Sequence, residues 1–195
     1  MKKLLTALAF TCFSLTMFVG QPVHAAKLGR GKIITVPKQM RGTWYSYDAS
    51  AGLEHKVVFT KHTFTNKYLK NLTLYHQLTY KFGYTIVPET AKQKAKNKRI
   101  LKQTKHWGTG SWNYIKPGGD FKGHFKAAKF LEVGQWTPSL GEYFPMYHSA
   151  TAKIDGKKVP VLVYFNVYNL ANYYPTKALA KKYRYSSVGL PYVHE

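Results

Sequence analysis

Beyond its first 25 residues this chain has no covalent staple, so whatever it folds into must be held by a hydrophobic core. The one cysteine among 195 residues, Cys12, lies inside the apolar run from Leu4 to Val19. That run follows Lys2 and Lys3 and closes at Gly20, Pro22 and Val23-His24-Ala25, the pattern of a secretory signal peptide cut after Ala25. Ala9-Phe10-Thr11 ahead of the cysteine does not form a lipidation site. The expected mature protein is secreted and extracellular or associated with the cell wall. It lacks thiols, disulfides and cysteine-bound zinc. No second apolar stretch is long enough to span a bilayer.

The core is expected to be aromatic and built on strands. The chain holds 16 Tyr, 11 Phe and 4 Trp, and only three of the phenylalanines lie in the leader. Aromatic and β-branched residues fit the pleated surface of a sheet. Residues 26–41, with two glycines, Ile33-Ile34-Thr35-Val36 and Pro37, read as a leading arm and a single turn. Strands are expected from Gly42 to Tyr47, over Leu53–Thr60, His62–Asn66, Thr73–Val87, Gly110–Ile115, Gly123–Val133, Tyr143–Ile154 and Lys158–Val167. Turn chemistry separates them at Asp48–Gly52, at Pro117–Asp120 and at Asp155-Gly156, a two-residue hairpin signal. Two short helices interrupt the pattern. One is signalled by Thr90-Ala91-Lys92-Gln93 and runs to about Leu101, and the other, from Lys177 to Tyr183, follows Pro175-Thr176. Residues 42–195 are expected to form a single antiparallel β-barrel, which leaves no sheet edge exposed.

Charge restricts the partners. The formal charge is +22, and removal of a leader with two lysines and no acid leaves +20 on 170 residues. Such self-repulsion is most easily borne beside a polyanion. For a secreted chain the first candidates are anionic wall polymers, either teichoic acid or an anionic polysaccharide, with nucleic acid behind them. Lys92, Lys94, Lys96, Lys98, Arg99, Lys102 and Lys105 place seven cations within 14 residues, with no acid between Glu89 and Asp120. These seven are the expected polyanion-binding residues. Lys122, Lys126 and Lys129, alternating with Phe121, Phe125 and Phe130, extend the basic character.

Three tryptophans follow a glycine by two positions, Trp44, Trp112 and Trp136. Glycine permits close backbone approach, and the tryptophan two residues on lies on the same face. These three are candidates for core plugs or for stacking against a small sugar or an amphipathic ligand. The segment from Pro37 through Arg41-Gly42-Thr43-Trp44-Tyr45, with its hairpin ending at Phe59-Thr60, resembles the opening of a group of small secreted proteins of lactobacilli. More distantly, Gly42-Thr43-Trp44 resembles the first strand of lipocalin-like (calycin) barrels, and that likeness implies a barrel whose floor is closed by Trp44.

No catalytic set, metal site or cofactor motif is assigned. The carboxylates Glu132 and Glu142 flank Trp136, and a pair facing each other across a cleft would suit a cell-wall glycan hydrolase, which is the alternative to a binding protein. A cationic protein acting on membranes or extracellular DNA is a third class, although the basic segment lacks the broad apolar face of an interfacial helix. The histidines have no metal-ligand spacing.

Overall fold

The computed structural model describes residues 29–48, 53–77, 90–116, 126–136, 144–166, 170–184 and 193–194. The expected signal peptide, the turn at 49–52, the far part of the strand expected to end at Val87, the loop 117–120, Phe121, Lys122, Phe125 and Glu142 lie outside the described residues.

The fold, among the described residues, is mainly β with two short helices. Among the described residues the strands are β1 (Arg30–Ile33), β2 (Gly42–Asp48), β3 (Leu53–Phe59), β4 (Thr63–Thr65) and β5 (Leu72–Gln77), then β6 (Trp107–Ile115), β7 (Ala128–Gln135), β8 (Met146–Ile154), β9 (Lys157–Phe165), β10 (Leu170–Tyr173) and β11 (Val193–His194). Helix α1 spans Ala91–Thr104 and α2 spans Lys177–Lys182. All strands join one sheet, ordered β10-β9-β8-β7-β6-β5-β4-β3-β2, with β1 added to β5 and β11 to β8.

The sheet is mixed, which corrects the wholly antiparallel expectation. Strands β5 and β6 run parallel, Thr73 facing Trp107 and His76 facing Gly110. A parallel pair needs a crossover, and α1 lies in the connection between them. The ladder is also not closed. Its outer members, β2 and β10, meet only at an isolated bridge in which Tyr45 N donates to Tyr174 O (2.8 Å) and Tyr174 N to Tyr45 O (2.7 Å).

The segment read as a leading arm is part of the sheet. Its residues 30–33 form β1 on the edge of β5, and Ile34, Val36 and Met40 are buried in the core. The expected turn is a 3-10 turn at Lys38–Met40. It is tied to β2 by Trp44, whose Nε1 donates to the Met40 carbonyl (2.8 Å). The hairpin at Asp155-Gly156 forms as expected: both residues have positive φ, 48° and 76°, and Ile154 faces Lys157. Helix α2 begins where expected, its Thr176 hydroxyl accepting from Leu179 N.

Strand alternation divides the apolar residues between the two faces. One cluster gathers Trp44, Val57, Phe59, Phe64, Leu74, Leu131, Val133, Tyr147, Leu162 and Tyr173. The second, containing Phe130, Val161, Val163, Tyr174 and Ala180, lies under α2 with Tyr45 and Tyr47 packed against it. Neighbouring residues Leu162 and Val163 thus serve different cores, as a period of two requires.

Glycine is required where the layers are closest. A Cβ on Gly134 would stand 2.3 Å from the Phe144 ring, and one on Gly110 would stand 2.6 Å from Ile34 Cδ1. Gly134→Ala is expected to destabilise the fold by about 1–3 kcal/mol through overpacking. Chemical denaturation would read this as a lower midpoint with unchanged slope, and an unchanged midpoint would refute the tight packing.

Candidate functional site

The basic segment folds as a helix with one buried stripe. On α1 Ile100 and Thr104 are buried, and the Thr104 hydroxyl donates to the Ile100 carbonyl (3.0 Å). Ile100 packs with Trp136, beside Tyr75 and Trp107. Trp107 meets Trp136 edge to face at 5.5 Å, and the Arg30 guanidinium lies 4.3 Å from the Trp107 ring and 4.7 Å from that of Tyr75. At 100° per residue the helical cations occupy an arc of roughly 200° opposite Ile100. Lys92, Lys94, Lys96, Lys98, Arg99, Lys102 and the following Lys105 are all exposed. The helix has no acid in its first turn. The two ion pairs among the described residues, Lys177–Glu54 at 2.9 Å and Lys182–Asp155 at 2.6 Å, lie elsewhere. Lys126 and Lys129 are exposed as well, while Phe130 is fully buried.

The three candidate tryptophans occupy different places. Trp44 is a core residue anchored by its hydrogen bond, and Trp136 is fully buried beneath Ile100. Trp112 is 37% exposed on β6. Of the paired carboxylates, Glu132 accepts from the Ser111 hydroxyl (2.8 Å) and from the Asn113 amide, which also donates to Ser111 Oγ (3.1 Å). Ser111 faces Glu132 directly across β6 and β7, so the arrangement is a cross-strand polar cluster. Two histidines hold backbone, His62 Nδ1 donating to Ile34 O (2.9 Å) and His148 Nδ1 to Lys129 O (3.0 Å).

A cavity of about 340 Å³ opens where β2 and β3 approach β8, β9 and β10. None of the candidate tryptophans lines it. Its wall is three tyrosines, Tyr147, Tyr164 and Tyr173, from three adjacent strands. Tyr147 faces Tyr164 in register, and Tyr173 faces Leu162. Their rings meet at angles, with centroids 5.6–6.3 Å apart, forming a concave surface instead of a stack. Ser46 and His55, cross-strand partners on β2 and β3, line the opposite side with Asp48 and Lys56. The turn between β4 and β5 forms part of the rim. There Asn66 Oδ1 accepts from the backbone of Tyr68 (2.9 Å) and Leu69 (2.7 Å), and Tyr68 is 80% exposed with Lys67 5.5 Å from its ring.

Burial raises the pKa of Tyr147 well above the ordinary phenol value, with further contributions from Tyr173 and Tyr164. Burial likewise raises that of Tyr173, assisted by Tyr164. Both are therefore neutral hydroxyls at physiological pH. On the outer cluster burial pushes Tyr174 up to about 12.

Among the described residues no three His, Asp or Glu side chains converge as a metal site, and no helix is long and apolar enough to cross a membrane. Comparison of the chain with protein-family models, with curated proteins and with solved structures finds no match.

The buried phenols set an alkaline limit. Each binds its proton more tightly in the folded chain, so its contribution is complete below the ordinary phenol value of 10.0 and is lost as pH rises through the folded value, about 12 for Tyr174. In that window stability is expected to fall by up to about 1.4 kcal/mol per pH unit for each such tyrosine. Urea midpoints measured from pH 9 to 12 test this. Tyr147→Phe should shallow the decline, and identical slopes in both proteins would contradict the assignment.

Proposed function

We propose that this is a secreted, non-catalytic cationic protein held at the cell surface by anionic wall polymers, either teichoic acid or an anionic polysaccharide. The supporting observation is α1: its cations spread across the solvent side of one helix, with no acid among them in sequence and no ion pair to them among the described residues. A helix docked through Ile100 presents those charges away from the sheet, where a flexible polyanion can make many weak contacts without a shaped pocket. The contacts are electrostatic and exposed, so they are screened by salt.

On this reading the curled sheet is a barrel, joined at the Tyr45–Tyr174 bridge, and serves as the carrier of the helix. The tyrosine-lined cavity at its open end is the place for a small sugar or amphipathic ligand. Glu132 has a structural role in this account, because its carboxylate is engaged by Ser111 and Asn113.

Binding of the protein to purified walls, before and after extraction of teichoic acid, tests the reading. Between 50 mM and 500 mM salt, bound protein is expected to fall at least about tenfold, since the Debye length contracts severalfold in that range. Replacing Lys92, Lys94, Lys96 and Lys98 together by Gln should reproduce the high-salt result at low salt while leaving the circular dichroism of the sheet intact. Retention that ignores both salt and these four residues would refute the proposal.

A further inference from the structure

We propose that the tyrosine cup is a specific site for one phosphate-bearing polyol unit of monosaccharide size. This goes beyond polymer retention by α1 and rests on separate residues. About 340 Å³ lies near the small end of ligand pockets, enough for one such unit and not for an oligomer.

The donor and acceptor inventory selects the ligand. Tyr147 and Tyr173 are 2% and 8% exposed, they line the cup, and no hydrogen bond among the described residues engages either hydroxyl. Neither hydroxyl is among the fully enclosed unpaired atoms of the described residues, which are Trp136 Nε1 and Tyr174 Oη, so both open to the solvent of the cup, where a ligand oxygen can replace water. Asn66 has committed its carbonyl oxygen to the rim turn, so its amide NH₂ remains as a donor. Lys56 and Lys67 add two cations. Against these donors the lining offers one carboxylate, Asp48. A site rich in donors and net positive calls for a ligand rich in acceptor oxygens that also carries negative charge. The single carboxylate and the Ser46 hydroxyl accept from the ligand's own hydroxyls.

The aromatic walls supply the remaining specificity. Tyr164 is fixed by Asn166, whose amide donates to its hydroxyl (2.7 Å). At the rim the Tyr68 ring stands in solvent beside Lys67, placed to cover the C–H face of a polyol while the ammonium meets its phosphate. A purely apolar ligand would strand the cup's donors, and a neutral sugar would forgo the lysines.

Isothermal titration of the full-length mature chain with glucose 1-phosphate, glycerol 1-phosphate and glucose separates these cases. At least one phosphate compound is expected to bind, and glucose should bind at least about tenfold more weakly because charge-assisted contacts are lost. Tyr173→Phe, which keeps the ring, and Lys67→Gln, at an exposed rim position, should each weaken binding severalfold. The fourfold Gln variant of α1 should bind the small ligand normally while losing wall retention. Competition by teichoic acid against that variant would identify a polymer end as the source of the unit, and its absence would identify a free sugar or polyol phosphate. The proposal is overturned if no phosphate compound binds, if glucose binds equally well, or if affinity follows the α1 substitutions and ignores those in the cup. Should Tyr173→Phe fail to fold, Lys67→Gln and Lys56→Gln still decide the matter.

Discussion

Two hydrogen bonds between Tyr45 and Tyr174 hold the outer members of an open sheet side by side. They bring β2 against β10, the outer members of a nine-strand path, and so place Ser46 and His55 across a gap from Tyr164 and Tyr173. Without that junction the two groups would lie at opposite ends of the sheet, and the cavity would have one wall. The junction is short, so much of its support comes from side chains. Tyr174 is fully buried in the outer cluster and contacts Tyr183 just beyond α2, while Trp44 beside Tyr45 is locked to the 3-10 turn. With no disulfide available, two aromatic cores on opposite faces of the same strands provide the stiffness that a covalent tie would otherwise contribute.

Features set by local chemistry were legible in the sequence. Asp155-Gly156 reads as a hairpin because both positions of that turn need positive φ, and Thr176 reads as a cap because its hydroxyl can satisfy an orphan amide. The strand-rich character followed from aromatic and β-branched composition. The parallel pairing of β5 and β6 was not legible, since it depends on where the chain lands after α1. Nor was β1: a strand beginning Arg-Gly-Lys looks like a polar arm until Arg30 is seen lying over Tyr75 and Trp107.

The two candidate sites differ in the same way. Seven cations in sequence form a patch in almost any fold that exposes them, so the α1 surface could be named residue by residue. The cup is assembled from Tyr147, Tyr164 and Tyr173, whose meeting depends on the register of three strands, and a one-residue slip would turn them outward. In the sequence these tyrosines are indistinguishable from others that merely favour a strand. Two of the glycine-tryptophan pairs serve packing: Trp44 and Trp136 fill cores, and Gly134 makes room for Phe144.

The way α1 is docked bears on how readily proteases cut the chain. An exposed helix dense in lysine is a row of cleavage sites for proteases that cut after basic residues, and its large apolar hold on the sheet is Ile100. Proteases act on helices that open locally, and opening is easiest where few buried contacts resist it. A polyanion that binds the closed helix shifts that equilibrium by mass action and also covers the scissile bonds. On the proposed reading attachment and survival become a single property, and protein released from its polymer is the form most readily cut.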